Sequence, residues 1–347
     1  MRVTGKIRAL GIAVASAAAI LAAPAFADDA SDFYKGKTVH FLVGTSAGGG
    51  FDTYARLLAP YMAKKLGATV LVENKPGGSH MVAMNAVWQA NPDGLTVDIA
   101  PGEGAVLGKL LGEPGIRFDL TKFPIVARVN TAPRILIINP KLPYRSLADI
   151  LAADKTMVLS FAGKTDGASD TGTVFCHAVK MKCKSLIGYP SSKEFTMAAI
   201  RGESDGTVLT EDSAARFSEN DQLRPIVVTG RDRSEMMPNV PTVFEAIKVD
   251  DEGAWWLDFR DDVRKLGRLI VTTPGTPADR IAYLRKVVKE IETDPQVKKD
   301  FDTRGNPLTY GDPDEMAGII AKLLGGSLSA EKIKEIDYVI TQKYYAR

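Results

Sequence analysis

Apolar positions fall along this chain in two periods, and the switches between them mark out its elements. Thr38-Val39-His40-Phe41-Leu42-Val43 is a short β-rich run that stops at Gly44-Thr45-Ser46-Ala47-Gly48-Gly49-Gly50. That order predicts a buried strand feeding a glycine loop. From Asp52 the period becomes helical: Tyr54, Leu57, Leu58, Tyr61, Met62 and Leu66 share one face, Asp52 and Thr53 offer N-cap chemistry, and Pro60 is expected to kink the helix. A second strand at Thr69-Val70-Leu71-Val72 runs into Glu73-Asn74-Lys75-Pro76-Gly77-Gly78-Ser79, and a helix over Met81 to Ala90 follows.

Strand, glycine turn and helix, twice over, predict a parallel α/β sheet. The alternation continues with strands at Thr96 to Ala100, Arg134 to Ile138, Met157 to Phe161 and Leu223 to Thr229. Helices are predicted at Leu147 to Ala153, Thr173 to Lys182, Pro277 to Glu292 and Pro313 to Leu324. Prolines at 124, 133, 140 and 143, and again at 238 and 241, mark where the chain is expected to cross between lobes.

The first residues follow another pattern. Arg2, Lys6 and Arg8 precede an apolar run from Ala9 to Leu21, and Ala25-Phe26-Ala27 stands before Asp28-Asp29. This is the order of a bacterial secretory signal cleaved after Ala27, and the run is shorter than the roughly 20 apolar residues a membrane span needs. Removal of residues 1–27 takes away three of 44 basic residues and none of 42 acidic ones, which leaves a formal charge of −1. The basic balance of the whole chain therefore gives no reason to expect nucleic acid. Roughly 320 residues remain, more than one core usually serves, so two domains are expected.

Cys176 and Cys183 lie seven apart. In an oxidising compartment they are expected to pair, but on one straight helix their Cα atoms would stand about 10 Å apart, beyond disulfide reach. Pairing requires the helix to end near Lys182. Free thiols, or a metal site with His177, are the alternatives, although no Cys-x-x-Cys or His-x-x-x-His partner supports a metal.

Gly44-Thr45-Ser46-Ala47-Gly48 matches the nucleophile elbow of α/β hydrolases. It follows the first strand, where such an elbow follows several, and only His80 and His177 lie downstream as a base. Periplasmic serine hydrolase is thus the alternative function, with Ser46→Ala as its test. Gly36-Lys37-Thr38 and Gly163-Lys164-Thr165 end like phosphate loops but lack the upstream glycine, and Thr53 replaces the third glycine of a dinucleotide fingerprint. Lys180, Trp255-Trp256 and Tyr344-Tyr345 suit solvated or packing roles. We expect no catalytic residue, no metal and no cofactor.

What Gly48-Gly49-Gly50-Phe51-Asp52 does offer is backbone: amides unobstructed by Cβ and the positive end of a helix, suited to an anion such as a carboxylate. A tight turn capped by Asp52 is the plain alternative. A second glycine- and hydroxyl-rich loop, Gly163 to Thr173, also follows a strand and precedes a helix. Two such loops far apart in the chain suit a ligand held between two lobes.

At these residues the chain resembles a known family. Ala47-Gly48-Gly49-Gly50-Phe51-Asp52-Thr53-Tyr54-Ala55-Arg56, Val72-Glu73-Asn74-Lys75-Pro76-Gly77-Gly78, Ala90-Asn91-Pro92-Asp93-Gly94, Leu223-Arg224-Pro225 to Gly230, Val240-Pro241-Thr242-Val243-Phe244-Glu245 and Thr273-Pro274-Gly275-Thr276-Pro277 resemble the Bug-type solute receptors of tripartite tricarboxylate transporters. The resemblance implies a type II periplasmic-binding fold of two α/β lobes, with lobe one at 28–130 plus about 256–347 and lobe two at about 131–255. It implies a periplasmic, monomeric receptor that closes on a small di- or tricarboxylate and delivers it to membrane permease subunits; a ligand-sensing subunit would share the fold.

The family's first ligand loop falls on Ser46 to Thr53, with Ser46, Gly49, Gly50, Phe51, Asp52 and Thr53 as its ligand residues, and its second on Thr165 to Thr173, with Ser169, Asp170, Thr171, Gly172 and Thr173. A third approach falls on Tyr189 and on Glu211-Asp212. Two departures stand out. Tyr189-Pro190 replaces the family's Tyr-Lys-Gly, and the second loop carries Asp166 and Asp170, which would bind an amino group, discriminate among acids, or face solvent.

Overall fold

The computed structural model describes Met1 and residues 30–164 and 166–345. The expected signal and its cleavage point lie outside the described residues, as does Thr165.

The first half of the chain builds α1 (Ala30–Tyr34), β1 (Thr38–Val43), α2 (Gly50–Leu66), β2 (Thr69–Asn74), α3 (Met81–Gln89), β3 (Thr96–Pro101), α4 (Gly102–Leu110) and β4 (Ile125–Asn130). Then come β5 (Arg134–Ile138), α5 (Leu147–Ala153), β6 (Met157–Ser160), α6 (Gly167–Ala178), β7 (Cys183–Leu186), α7 (Ser192–Arg201), β8 (Gly206–Thr210), α8 (Glu211–Ser218) and β9 (Arg224–Val228). The remainder is α9 (Val243–Ala246), α10 (Asp251–Arg264), β10 (Arg268–Thr272), α11 (Ala278–Thr293), α12 (Pro295–Thr303), α13 (Pro313–Leu324) and α14 (Ala330–Thr341).

The strands form two five-stranded sheets of the same plan, β2-β1-β3-β10-β4 and β7-β6-β8-β5-β9. In each, the first three strands are parallel, and the fourth runs antiparallel to both its neighbours. The fourth strand is borrowed from elsewhere in the chain order. β10 joins the first sheet after the whole second sheet has passed, and β5 is the first strand of the second. The chain therefore crosses between sheets at 131–133 and again between α10 and β10.

Helices cover both faces of the first sheet, which is why β1 reads as a nearly unbroken apolar run. Tyr54, Leu58 and Met62 of α2 pack with Val287, Val288 and Ile291 of α11 against Val39, Phe41 and Val43. On the other face, α3, α4 and α13 join a core that continues into the second sheet through Trp256 and Val263 of α10. Both α10 and α14 pack against α6, and Tyr345 bridges to Ser185 of β7.

Three readings of the sequence need correction. Gly49, not Asp52 or Thr53, is the N-cap of α2. α6 begins at Gly167, six residues earlier than its apolar periodicity suggested, because Asp166 caps it through the Ala168 amide. It ends at Ala178 rather than near Lys182, which is itself in a left-handed turn's wake: Lys180 has φ 55°.

Candidate functional site

Parallel strands end on one side of a sheet, so the loops after β1 and β3, the end of β4 and the start of β10 gather at one edge of the first sheet. Gly44 packs so tightly that a Cβ there would lie 2.6 Å from His80, and Gly48 takes φ +83°. Among the described residues no side chain caps α2. The amides of Gly50, Phe51 and Asp52 therefore lack the carbonyl partners that an interior turn supplies, and they form the positive end of a 17-residue helix.

Asp52 is almost fully buried and accepts from the Gly48 amide at 2.8 Å, Arg56 Nε at 2.9 Å and Asn74 Nδ2 at 2.9 Å. Burial works to raise its pKa, but these donors together hold it below the usual carboxylate range. Its carboxylate thus builds the loop, and Arg56 and Asn74 brace it. Thr53 Oγ1 donates to Gly49 O, and Ser46 stands exposed at the loop tip. His80 packs edge-on against Phe51, with burial and the nearby Arg268 charge lowering its pKa to about 4. No hydrogen bond joins it to Ser46 among the described residues.

Arg268, the first residue of β10, was not found by sequence reasoning. Its guanidinium lies over the rings of Phe51 and Tyr54, 5.0 and 4.7 Å from their centroids, and it donates to Asn130 Oδ1. A Cβ on Gly50 would sit 3.2 Å from its Nη2, so the cation stands at the start of α2. Its Nε is buried without a partner, and no carboxylate pairs with it among the described residues. Two positive features thus share one spot, where Asp52 is already committed to Gly48, Arg56 and Asn74.

The second loop is closed in on itself. Ser169, Asp170, Thr171, Gly172 and Thr173 all lie in the first turns of α6 and are buried. Thr171 Oγ1 donates to Gly167 O at 2.6 Å, Thr173 Oγ1 to Asp170 O at 3.1 Å, and Ser169 Oγ bonds Tyr345 Oη at 2.7 Å. Gly172 lets the helix lie on Phe161, where a Cβ would fall 2.5 Å from the ring.

Asp170 does not face solvent: it is fully buried and accepts from Arg260 Nε at 2.8 Å. Arg260 Nη2 also contacts Glu103, the second residue of α4 in the first lobe, and Arg134 Nη2 lies 3.1 Å from both Glu103 oxygens. Burial opposes charge throughout this network, but the two arginines outweigh it at Glu103 and lower its pKa to about 2. At Asp170 burial wins, helped by the neighbouring Glu103, and the pKa rises to about 6. Glu103, Arg134 and Arg260 stand 31 to 157 residues apart in sequence, so no motif could have announced them.

At the third approach, Glu211 is buried and accepts from Ser234 Oγ at 2.5 Å, while Asp212 pairs loosely with Arg216 at 3.8 Å. Burial and then the Asp212 charge raise the Tyr54 phenol, an electrostatic link across the lobes that Arg268 opposes. Tyr189 instead lies beside Glu203. Behind α6, Cys176 and Cys183 are bonded with Cα atoms 6.2 Å apart. His177, Glu252 and Glu335 bring ligand atoms within 4.8 Å of one another, but Lys343 at 2.7 Å from His177 and Lys332 at 2.6 Å from Glu335 already put cations there.

Two like-built α/β sheets joined by crossing segments, with glycine-opened helix starts at their facing edges, define a periplasmic-binding-protein fold. The family model described as "Tripartite tricarboxylate transporter family receptor" matches residues 54–324. The chain belongs to that family of periplasmic solute receptors. It is 23% identical to protein BugT of Bordetella pertussis over 325 residues, 92% of this chain and 94% of that one. Among solved structures it is similar to Rhodopseudomonas palustris MatC with bound malate, at 20% identity and TM-score 0.67 over 88% of this chain and 99% of that one. It is also similar to an R. palustris protein solved with adipate, at 19% identity and TM-score 0.71 over 86% and 97%.

Proposed function

We propose that this receptor captures a small organic acid between its lobes and delivers it to the membrane subunits of a tripartite tricarboxylate-type permease. One observation carries the reading: the amides of Gly50 to Asp52, at the uncapped start of α2, and the Arg268 guanidinium lie together, and no carboxylate pairs with Arg268 among the described residues. Taking a ligand out of water requires donors for each carboxylate oxygen, and these groups supply them. The relatives solved with malate and adipate support the ligand class. Ser46 and Thr53 flank the carboxylate, and the α6 residues Ser169 to Thr173 with Asp212 and Tyr189 shape the opposing wall.

We further infer export with cleavage after Ala27 and action as a monomer; the intact mass of periplasmic protein tests the former, and a species keeping residues 2–27 would refute it. For the ligand, thermal shift against mono-, di- and tricarboxylates should reveal a stabiliser, since binding only the folded state raises stability by mass action. Failure of every organic acid would refute the carboxylate reading.

A further inference from the structure

The start of α6 has what an anion site needs: a 12-residue helix presenting its N-terminus, with Arg134 and Arg260 beside it. That site is filled by the protein itself. Glu103 reaches over from α4 of the first lobe, pairs with both arginines, and stands so close to the helix that a Cβ on Gly167 would lie 3.1 Å from its Oε2. Its side chain is 14% exposed, so little of this carboxylate is left to water.

We propose that Glu103 closes the second lobe's anion site to the ligand and thereby makes this receptor selective for acids that carry a single negative charge. The inference rests on the carboxylate reading above and adds the ligand's charge to it. Charge balance supplies the reason. In the second-lobe network Glu103 and Asp170 already match Arg134 and Arg260, and Asp166 adds a further acidic group at the same helix start. A second ligand carboxylate arriving there would meet no spare cation. The first lobe is the opposite case, because Arg268 has no carboxylate partner among the described residues and stands at the start of α2. A ligand with one carboxylate on Arg268 and an uncharged or cationic far end satisfies both lobes. One with a carboxylate at each end satisfies only the first.

Calorimetric titration with matched pairs on the same skeleton tests this: butyrate with succinate, hexanoate with adipate, benzoate with terephthalate. In the pairs that bind, the monocarboxylate should bind at least about tenfold more tightly. Glu103→Gln leaves Arg260 paired with Asp170 but frees Arg134, and should shrink or reverse that ratio, while Glu103→Asp keeps the charge and should preserve it even if its shorter reach lowers stability. Arg268→Gln should weaken every acid about tenfold or more and leave the ratio within a pair unchanged. Dicarboxylates binding as tightly as their partners to the parent protein, or a ratio that Glu103→Gln does not move, would overturn the inference and leave the carboxylate reading standing. If no acid of the panel binds the parent, both fall together.

Discussion

Arg260 of α10 donates through Nε to Asp170 Oδ1 at 2.8 Å and through Nη2 to Glu103, so one side chain that is 5% exposed binds a carboxylate from each lobe. A buried charge of this kind is costly to strand. Removing one partner of a buried pair typically destabilises by about 3 to 5 kcal/mol, because the remaining charge keeps its desolvation cost without its counter-ion. Arg260→Met should therefore lower the urea-unfolding free energy by about that much at pH 7. In the parent, burial already raises Asp170 to about 6 against the Arg260 charge; without that charge the folded variant binds the proton more readily still, so the defect should shrink at pH 5. A defect that is small at pH 7, or that grows on acidification, would contradict the network's role.

Asp98, in the middle of β3, is fully buried with neither oxygen hydrogen-bonded among the described residues, and burial raises its pKa well above the ordinary value. The folded state therefore keeps a proton that the unfolded state releases as pH rises above the usual carboxyl range, and this group lowers stability with increasing pH. Asp98→Asn mimics the protonated acid. Its melting temperature should exceed the parent's at pH 8, with the difference vanishing near pH 4. A variant equally stable or less stable than the parent at pH 8 would show that Asp98 is not held neutral.

Asp52 presents the opposite sign. Its pKa is lowered, so its contribution is present above the ordinary carboxyl pKa and is lost as pH falls through the lowered value. Asp52→Ala leaves the Gly48 amide without its acceptor and Asn74 Nδ2 with Thr45 O alone, and should cost about 1 to 3 kcal/mol at pH 7, less in acid. Ligand affinity should fall as well, although Asp52 lends its side chain only to the loop. Unchanged binding in a folded Asp52→Ala protein would separate this loop from the ligand.

The Cys176–Cys183 bond closes a loop of few residues, for which chain entropy predicts roughly 2 to 3 kcal/mol. The native protein should show no thiol reactive to an alkylating reagent until it is reduced, and the reduced protein should unfold at lower urea yet still bind its ligand. Two thiols that react before reduction would refute the pairing.

Much of the first sheet could be read from sequence because β1, β2 and β3 are apolar runs punctuated by glycine turns. The helix start at Gly49 was visible as a glycine run, although Asp52 turned out to brace the loop rather than cap the helix. β4, β7, β8 and β10 escaped notice. β7 begins Cys183-Lys184-Ser185 and owes its place to pairing with β6, and β10 is announced only by Leu269-Ile270-Val271 after Gly267. The charged residues of the site were the least legible. Glu103, Arg134 and Arg268 each sit where a strand begins or ends, and only the meeting of distant strands puts them together.

The borrowed fourth strand of each sheet also bears on how the molecule is made. A chain emerging N-terminus first has every strand of the second sheet once residue 228 is out, whereas the first sheet stays one strand short until residues 268–272 follow. The lobe encoded first is therefore completed last, its contacts spanning the widest sequence separation and forming slowly for that reason. For a chain exported as proposed above, this order keeps the leading half from locking into a finished sheet while the trailing half is still being synthesised.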